Sequence, residues 1–205
     1  SFPVMVTPAG GQRHVHAEGE RATARAAGAA GTLMALPSNS GYGLEEVAEV
    51  ATGPLWFQLS HFGDEVTELL VTRAEAAGYR AICYTVDSPV PSIRERDIRN
   101  RFSGQGEPSW GSLQGYPEVV ARNKVLTGYM HGDPDAAAWT PPTYVGLTWS
   151  RLGWLRSLTG LPLVIKGIRT AADASLCVEY GVDGIVVSNH GARHMDGTLS
   201  SIEAL

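Results

Sequence analysis

The chain has 205 residues, of which 43% are apolar and 18% charged. It holds 16 Lys and Arg against 21 Asp and Glu, and the net charge of −5 at pH 7 argues against a nucleic-acid footprint. No run of about 18 apolar residues is present, so no membrane span is expected.

The sequence opens on Ser1-Phe2-Pro3-Val4-Met5-Val6, already strand-like and without a leader pattern. That opening suggests an N-terminal part lying elsewhere. Residues 4–6 are the first predicted strand, and a helix is expected over 18–30. Residues 32–36 are the second strand, followed by a helix over 44–51. Residues 55–59 are the third. Asp64 is the predicted N-cap of the next helix, which carries Val66, Leu69, Leu70, Ala74 and Ala77 on one face and closes at Gly78. Residues 81–86 are the fourth strand. A helix over 148–158, stopped at Gly160, precedes the fifth strand at 163–166. Thr170 caps a helix ending at Tyr180-Gly181, and residues 184–188 form the sixth strand. The two cysteines, Cys83 and Cys177, fall in apolar contexts. Buried free thiols in a reducing compartment are expected, and with them a cytoplasmic protein.

Regular alternation of continuous apolar strands with helices argues for a parallel sheet covered by helices. A doubly wound sheet and a barrel both fit. Polar residues stand at the end of almost every strand: Thr7, Ser38, Gln58, Thr85 with Asp87, Lys166, and Ser188 with His190. Convergence of all strand ends on one site favours the (β/α) TIM barrel. An open sheet would gather its ligand contacts at a single switch point. A full barrel has eight units and about 250 residues, and about six are legible here, so the barrel reads as incomplete. Residues 96–147 interrupt the alternation between the fourth and fifth strands and are rich in Gly, Pro, Ser and Trp. An interval this long suits an active-site lid, with a solvated linker as the plainer alternative. The whole is taken as one partial barrel domain over 1–205.

The chemistry concentrates in Gly184-Ile-Val-Val-Ser-Asn-His-Gly-Ala-Arg-His-Met-Asp196. A buried strand here delivers Ser188, His190 and Arg193 into a Gly-containing loop. His190 can move a proton near neutral pH, and Arg193 can grip a carboxylate through two parallel hydrogen bonds. Asp87 ends another strand, and a barrel brings such ends together. An Asp beside a His fixes its tautomer and stabilises its cation. Arg94 is a second carboxylate candidate, with a surface pair to Glu95 or Asp97 as its plainer reading. Lys166, taken alone, reads as a solvated strand-end residue. His14-Val15-His16 and His190 with His194 do not make a metal site. The first pair must share a strand face, and Gly191 breaks helical spacing in the second. There is no phosphate-binding Gly-x-x-x-x-Gly-Lys, no Gly-x-Gly-x-x-Gly after a strand and no serine elbow.

The run Ser188-Asn189-His190-Gly191-Ala192-Arg193 resembles the active-site segment of the FMN-dependent α-hydroxy acid oxidases and dehydrogenases. That family includes glycolate oxidase, lactate oxidase and mandelate dehydrogenase. The family pattern continues Gln-Leu-Asp, where this chain has His194-Met195-Asp196. The resemblance covers essentially all of this chain but only the middle of a family member. The family's two phosphate-binding loops and its N-terminal active-site Tyr have no counterpart in these residues.

The resemblance implies FMN as cofactor and a small α-hydroxy acid oxidised to its 2-oxo acid. It places Asp87 and His190 on the proton-removing pair, and Arg193 and Arg94 on the substrate carboxylate. The family's first Arg of that second pair is Ile93 here. Gln58, Thr85, Ser38 and Ser188 match residues against the flavin ring, and Lys166 matches the cation by its pyrimidine side. Pro8-Ala9-Gly10 matches a turn whose backbone runs against the reactive flavin nitrogen, so Ala9 joins the cofactor contacts. Hydride and carbanion routes both remain open. The family's Trp-Phe-Gln-Leu-Tyr reads Trp56-Phe57-Gln58-Leu59-Ser60, and Asn39 stands where aromatic bulk is often found. A wider, more polar pocket follows. A homo-oligomer is expected. The alternative, motivated by the missing phosphate loops and the missing Tyr, is a truncated, catalytically reduced barrel that binds ligand or partner without turnover. Its open strand edges would call for the missing units, a second chain or a rearranged closure.

Overall fold

In a computed structural model the described residues are 3–88, 95–101, 110–123, 148–194 and 196–205. Five parallel strands among them lie side by side in chain order: β1 (Met34–Pro37), β2 (Leu55–Leu59), β3 (Ile82–Thr85), β4 (Leu163–Ile168) and β5 (Gly184–Val187). Residues 4–6, expected as a first strand, contribute only a parallel bridge from Val6 to Met34. Val6 donates to the Leu33 carbonyl and its own carbonyl accepts from Ala35, each at 2.9 Å. Pro3 and Pro8 flank the run and lack the N–H groups that would extend the ladder.

The helices are α1 (Gly19–Ala29), α2 (Leu44–Val50), α3 (Asp64–Ala76), α4 (Glu95–Asn100), α5 (Pro117–Arg122), α6 (Ser150–Ser157), α7 (Ala171–Glu179) and α8 (Ser201–Ala204). Thr170 caps α7 as expected, its hydroxyl accepting from the Asp173 N–H at 3.1 Å. Asp64 does not cap α3. It is the first helical residue after Gly63, and its carboxylate pairs with Arg151 of α6 instead. An acid in the first turn still faces the positive end of the helix dipole. The buried side of α3 is Val66, Thr67, Leu70, Val71 and Ala74, so it is rotated from the expected stripe toward Thr67 and Val71.

Side-chain alternation sorts the strands into two faces. The in-register pairs Met34–Leu55, Leu36–Phe57, Phe57–Ile82, Leu59–Tyr84, Ile82–Leu163 and Tyr84–Ile165 put these residues on one face. They form a single core with Ala24 and Ala27 of α1, Leu44 and Val47 of α2, Leu70 and Ala74 of α3, Leu155 of α6 and Cys177 of α7. The opposite face carries Trp56, Cys83, Val164 and Val186, a small cluster built from strand and strand-end residues. Among the described residues helices therefore cover one face, and strand order does not reverse. A doubly wound sheet would place helices on both faces and reverse its order at a switch point. Consecutive order with one-sided helices is the wall of a barrel.

Part of the long interval belongs to that core. Trp110, Leu113 and Val119 are buried, and Trp110 meets Phe62 edge-on with ring centroids 5.1 Å apart. Arg73 of α3 reaches across to the Ser112 carbonyl and pairs with Glu45 at 2.6 Å. Arg94 and residues 102–109 and 124–147 of the interval lie outside the described residues.

The β4–β5 register slips between Lys166 and Ile168, leaving Gly167 as an extra residue at φ +113°. A Cβ there would lie 2.6 Å from Cβ of Asp87 and 2.9 Å from its backbone nitrogen. The bulge thus lets the chain after β3 lie close over the end of β4. Gly167→Ala is expected to destabilise the full-length protein by about 1–3 kcal/mol through backbone strain alone. Chemical denaturation checks this, and an unchanged midpoint would mean that the two strand ends have room to part.

Candidate active site

Parallel strands bring their carboxyl ends to one edge, and the helix-free face carries polar groups there. Gln58 of β2 donates from Nε2 to the Thr85 hydroxyl at 2.8 Å and to Ser60 Oγ at 3.0 Å. Ser38 follows β1, and its hydroxyl donates to the Gln58 carbonyl at 2.7 Å and accepts from the Ser60 N–H at 2.9 Å. Ser38, Gln58 and Thr85 are all buried. The amide of Gln58 is thereby fixed, and the Thr85 hydroxyl keeps its proton to donate onward.

Beside Thr85 lies a cluster of charge. Lys166 is paired in register with Thr85 and is only 8% exposed. Its ammonium stands 3.7 Å from Asp87 Oδ2 and 3.5 Å from His190 Nδ1. His190 Nδ1 is 2.8 Å from Asp87 Oδ1. Since the carboxylate accepts, Nδ1 carries the hydrogen and Nε2 is left as the basic nitrogen. Asp87 Oδ2 is buried with no hydrogen-bond partner among the described residues. Burial works to raise the Asp87 carboxyl, but the His190 hydrogen bond and the Lys166 charge outweigh it and hold it below the ordinary value.

The loop after β5 is held in an uncommon conformation. His190, Gly191 and Ala192 all have left-handed backbone, with φ of 59°, 64° and 56°. Asn189 stabilises it by accepting from the Ala192 N–H at 3.2 Å and donating to the Leu199 carbonyl at 3.2 Å. Ser188 Oγ accepts from the His190 N–H at 3.0 Å. Non-glycine residues at positive φ are strained, and such strain concentrates at functional sites.

The structure thus joins Asp87, Lys166, His190 and Ser188 in one group, and Ser38, Gln58 and Thr85 in a second group beside it. Arg193 follows in the same loop and is exposed. Ala9 is exposed, its carbonyl accepting from Gln12 at 3.0 Å. One neighbour, Ser88, was not singled out from the sequence. Ser88 Oγ lies 2.9 Å from His194 Nε2 and 3.3 Å from His190 Nδ1, and the two imidazoles meet edge-on at 4.5 Å. The four-residue spacing of the histidines was visible, but only the tertiary structure brings Ser88 between them. No group of three or more metal-ligating side chains occurs among the described residues. Nor is any helix among them long and apolar enough to cross a membrane.

A one-sided parallel wall with a His–Asp–Lys group at its carboxyl edge is part of an α/β barrel with a candidate site where such barrels carry theirs. The chain belongs to the FMN-dependent dehydrogenase family, whose sequence profile matches residues 1–205. It is 42% identical to glycolate oxidase of Spinacia oleracea and 44% identical to L-lactate oxidase of a Nostoc species. These matches cover 100% of this chain, and 54% and 56% of those proteins, so the chain spans about half the length of the relatives it matches. Among solved structures, (S)-mandelate dehydrogenase of Pseudomonas putida superposes with a TM-score of 0.84 at 31% identity, covering 99% of this chain and 55% of that one. A mandelate oxidase does so with a TM-score of 0.78 at 38% identity, covering 98% and 53%.

The lowered Asp87 value fixes a pH dependence. A carboxyl whose folded value lies below its unfolded one contributes stability that is complete above the unfolded value and is lost as pH falls through the folded one. Acidification below the ordinary carboxylate range should therefore destabilise the full-length protein, and Asp87→Asn should flatten that part of the curve. Denaturation midpoints of both proteins across that range measure the difference, and parallel curves would mean that Asp87 is not preferentially charged in the fold.

Proposed function

We propose that the complete protein oxidises an α-hydroxy acid to the corresponding 2-oxo acid with FMN as cofactor. The observation that carries this reading is the 2.8 Å His190–Asp87 contact with Lys166 alongside, on the helix-free face of the sheet. The donors on that face, the Thr85 hydroxyl and the Lys166 ammonium, suit a flat ring with several acceptor atoms, and the Gln58 amide tethers the Thr85 hydroxyl beside it. Ser38, Ser188 and the backbone at Ala9 extend the same edge. Bound FMN supplies the acceptor for the two electrons that leave the substrate.

The chain's own residues do the rest. Nε2 of His190 takes the substrate proton, and the Asp87 carboxylate stabilises the imidazolium that results. Lys166 places positive charge where negative charge develops. Arg193 holds the substrate carboxylate, with Arg94 as its second partner. Ser60, whose oxygen accepts from Gln58, is too short to reach where the family Tyr holds substrate. The substrate pocket is accordingly wider, and acids bulkier than glycolate fit it. Buried free Cys83 and Cys177 suit a cytoplasmic protein. The unpaired edge of β5 calls for further strands, and we place the complete barrel in a homo-oligomer.

The test is anaerobic reduction of the FMN-loaded full-length protein by glycolate, L-lactate or (S)-mandelate, followed as loss of the oxidised flavin absorbance. His190→Ala should slow reduction by about 10²–10⁴-fold while FMN stays bound. Arg193→Lys should instead weaken the concentration dependence on substrate, because an ammonium cannot form the bidentate fork. A protein that stays colourless with added FMN would favour binding without turnover. Near-normal reduction in His190→Ala would remove His190 as the base.

A further inference from the structure

His194 stands at the end of a hydrogen-bonded chain that also contains the base. Its Nε2 is 2.9 Å from Ser88 Oγ, which is 3.3 Å from His190 Nδ1 and 3.5 Å from Asp87 Oδ1. The rings of His190 and His194 meet edge-on at an interplanar angle of 81°, with centroids 4.5 Å apart. Ser88 is the only side chain in this set that can both donate and accept through one atom. Its hydroxyl must therefore orient according to what its neighbours offer.

We infer that His194 is a positioning residue for the His190–Asp87 pair, and that the Ser88 hydroxyl couples proton uptake by the two histidines. This rests on the assignment of His190 as the base. With a bare Nε2 on His194, Ser88 donates to His194 and its oxygen faces the His190 Nδ1 hydrogen. When Nε2 is protonated, His194 donates to Ser88, and the hydroxyl proton turns toward Asp87 Oδ1. No bond other than these hydrogen bonds changes. Asp87 then has a second donor and holds the His190 hydrogen less strongly. The two imidazolium rings also repel at this separation. Each histidine thus makes a proton on the other less favourable.

The surrounding charges come from every neighbouring element. Asp87 follows β3, Lys166 ends β4, and Arg169 follows β4. Asp173 lies on α7, and Arg193 precedes His194. Asp87, Arg169, Asp173, Asn189 and His194 share the wall of one cavity of about 380 Å³. Asp173 already accepts from the Thr170 hydroxyl at 2.7 Å. Among the described residues, carboxylates and cations both flank the pair, and Ser88 is a group that contacts both rings.

The test uses the full-length protein labelled with ¹⁵N-histidine and titrated by NMR through the histidine range. The ring resonances of His190 and His194 should each show two inflections, as interacting sites do. In His194→Gln, which keeps a hydrogen-bonding side chain but cannot titrate, His190 should show one. Ser88→Ala keeps both rings and should draw the two inflections together. In parallel, the acid limb of flavin reduction should fall in two stages, the first of about tenfold. His194→Gln should leave a single stage. A His190 curve with one inflection, superimposable in parent and His194→Gln, would overturn the coupling. Two-inflection titrations in a protein that none of the three hydroxy acids reduces would keep the coupling and reject the hydroxy-acid oxidation.

Discussion

Everything at the site depends on parallel strands running in register. Because neighbouring strands point the same way, their carboxyl ends meet at one edge, and residues paired across the ladder share a face. Thr85 and Lys166 are such a pair, and Gln58 is paired with Cys83 two residues before Thr85. The polar groups gather there because hydrophobic burial claims the other face. Leu36, Phe57, Ile82 and Ile165 are all but inaccessible under the helices, and that packing fixes which way Gln58, Thr85 and Lys166 must point.

Burial then sharpens the electrostatics. The Asp87 side chain is 5% exposed and that of Lys166 10%. Charges so placed cannot rely on water and must satisfy one another. Asp87 meets His190 through one oxygen and faces Lys166 with the other. The arrangement leaves His190, the more exposed member, as the group through which a proton can enter or leave. The same crowding requires a glycine at the β4 bulge, since Asp87 occupies the volume a side chain at Gly167 would need. Backbone geometry, charge pairing and proton transfer are thus linked through a few residues at two strand ends.

The departures from the family pattern fall around this centre. Ser60 stands where the family has an aromatic hydroxyl, is shorter, and accepts from the Gln58 amide. His194 replaces a neutral amide and brings a second titratable ring against the first. Asn39 sets its side chain against Gly10, where a Cβ would come within 2.4 Å of it. These changes alter what surrounds the Asp87–His190 pair while leaving the pair itself in place.

The sequence by itself determined the strand and helix alternation, because apolar periodicity and the stops at Gly78 and Gly181 are local signals. The strand-end positions of Asp87, Lys166 and His190 were also legible, although Lys166 taken alone read as solvated and is buried against the other two. It misplaced what depends on competition between neighbours. Residues 4–6 read as a strand, but flanking prolines limit them to one bridge. Asp64 read as a cap, yet Arg151, distant in sequence, offers its carboxylate another partner. Residues 110–123 read as part of a loop, although Trp110 and Leu113 find a core surface supplied by other segments. Barrel or open sheet was undecided by alternation, which is the same in both. Only the tertiary structure settled it, because helix coverage of one face is a property of how the crossovers pack. The proximity of Ser88 to His194 was likewise invisible, because the contact spans 106 residues and exists only where β3 and β5 end side by side with β4.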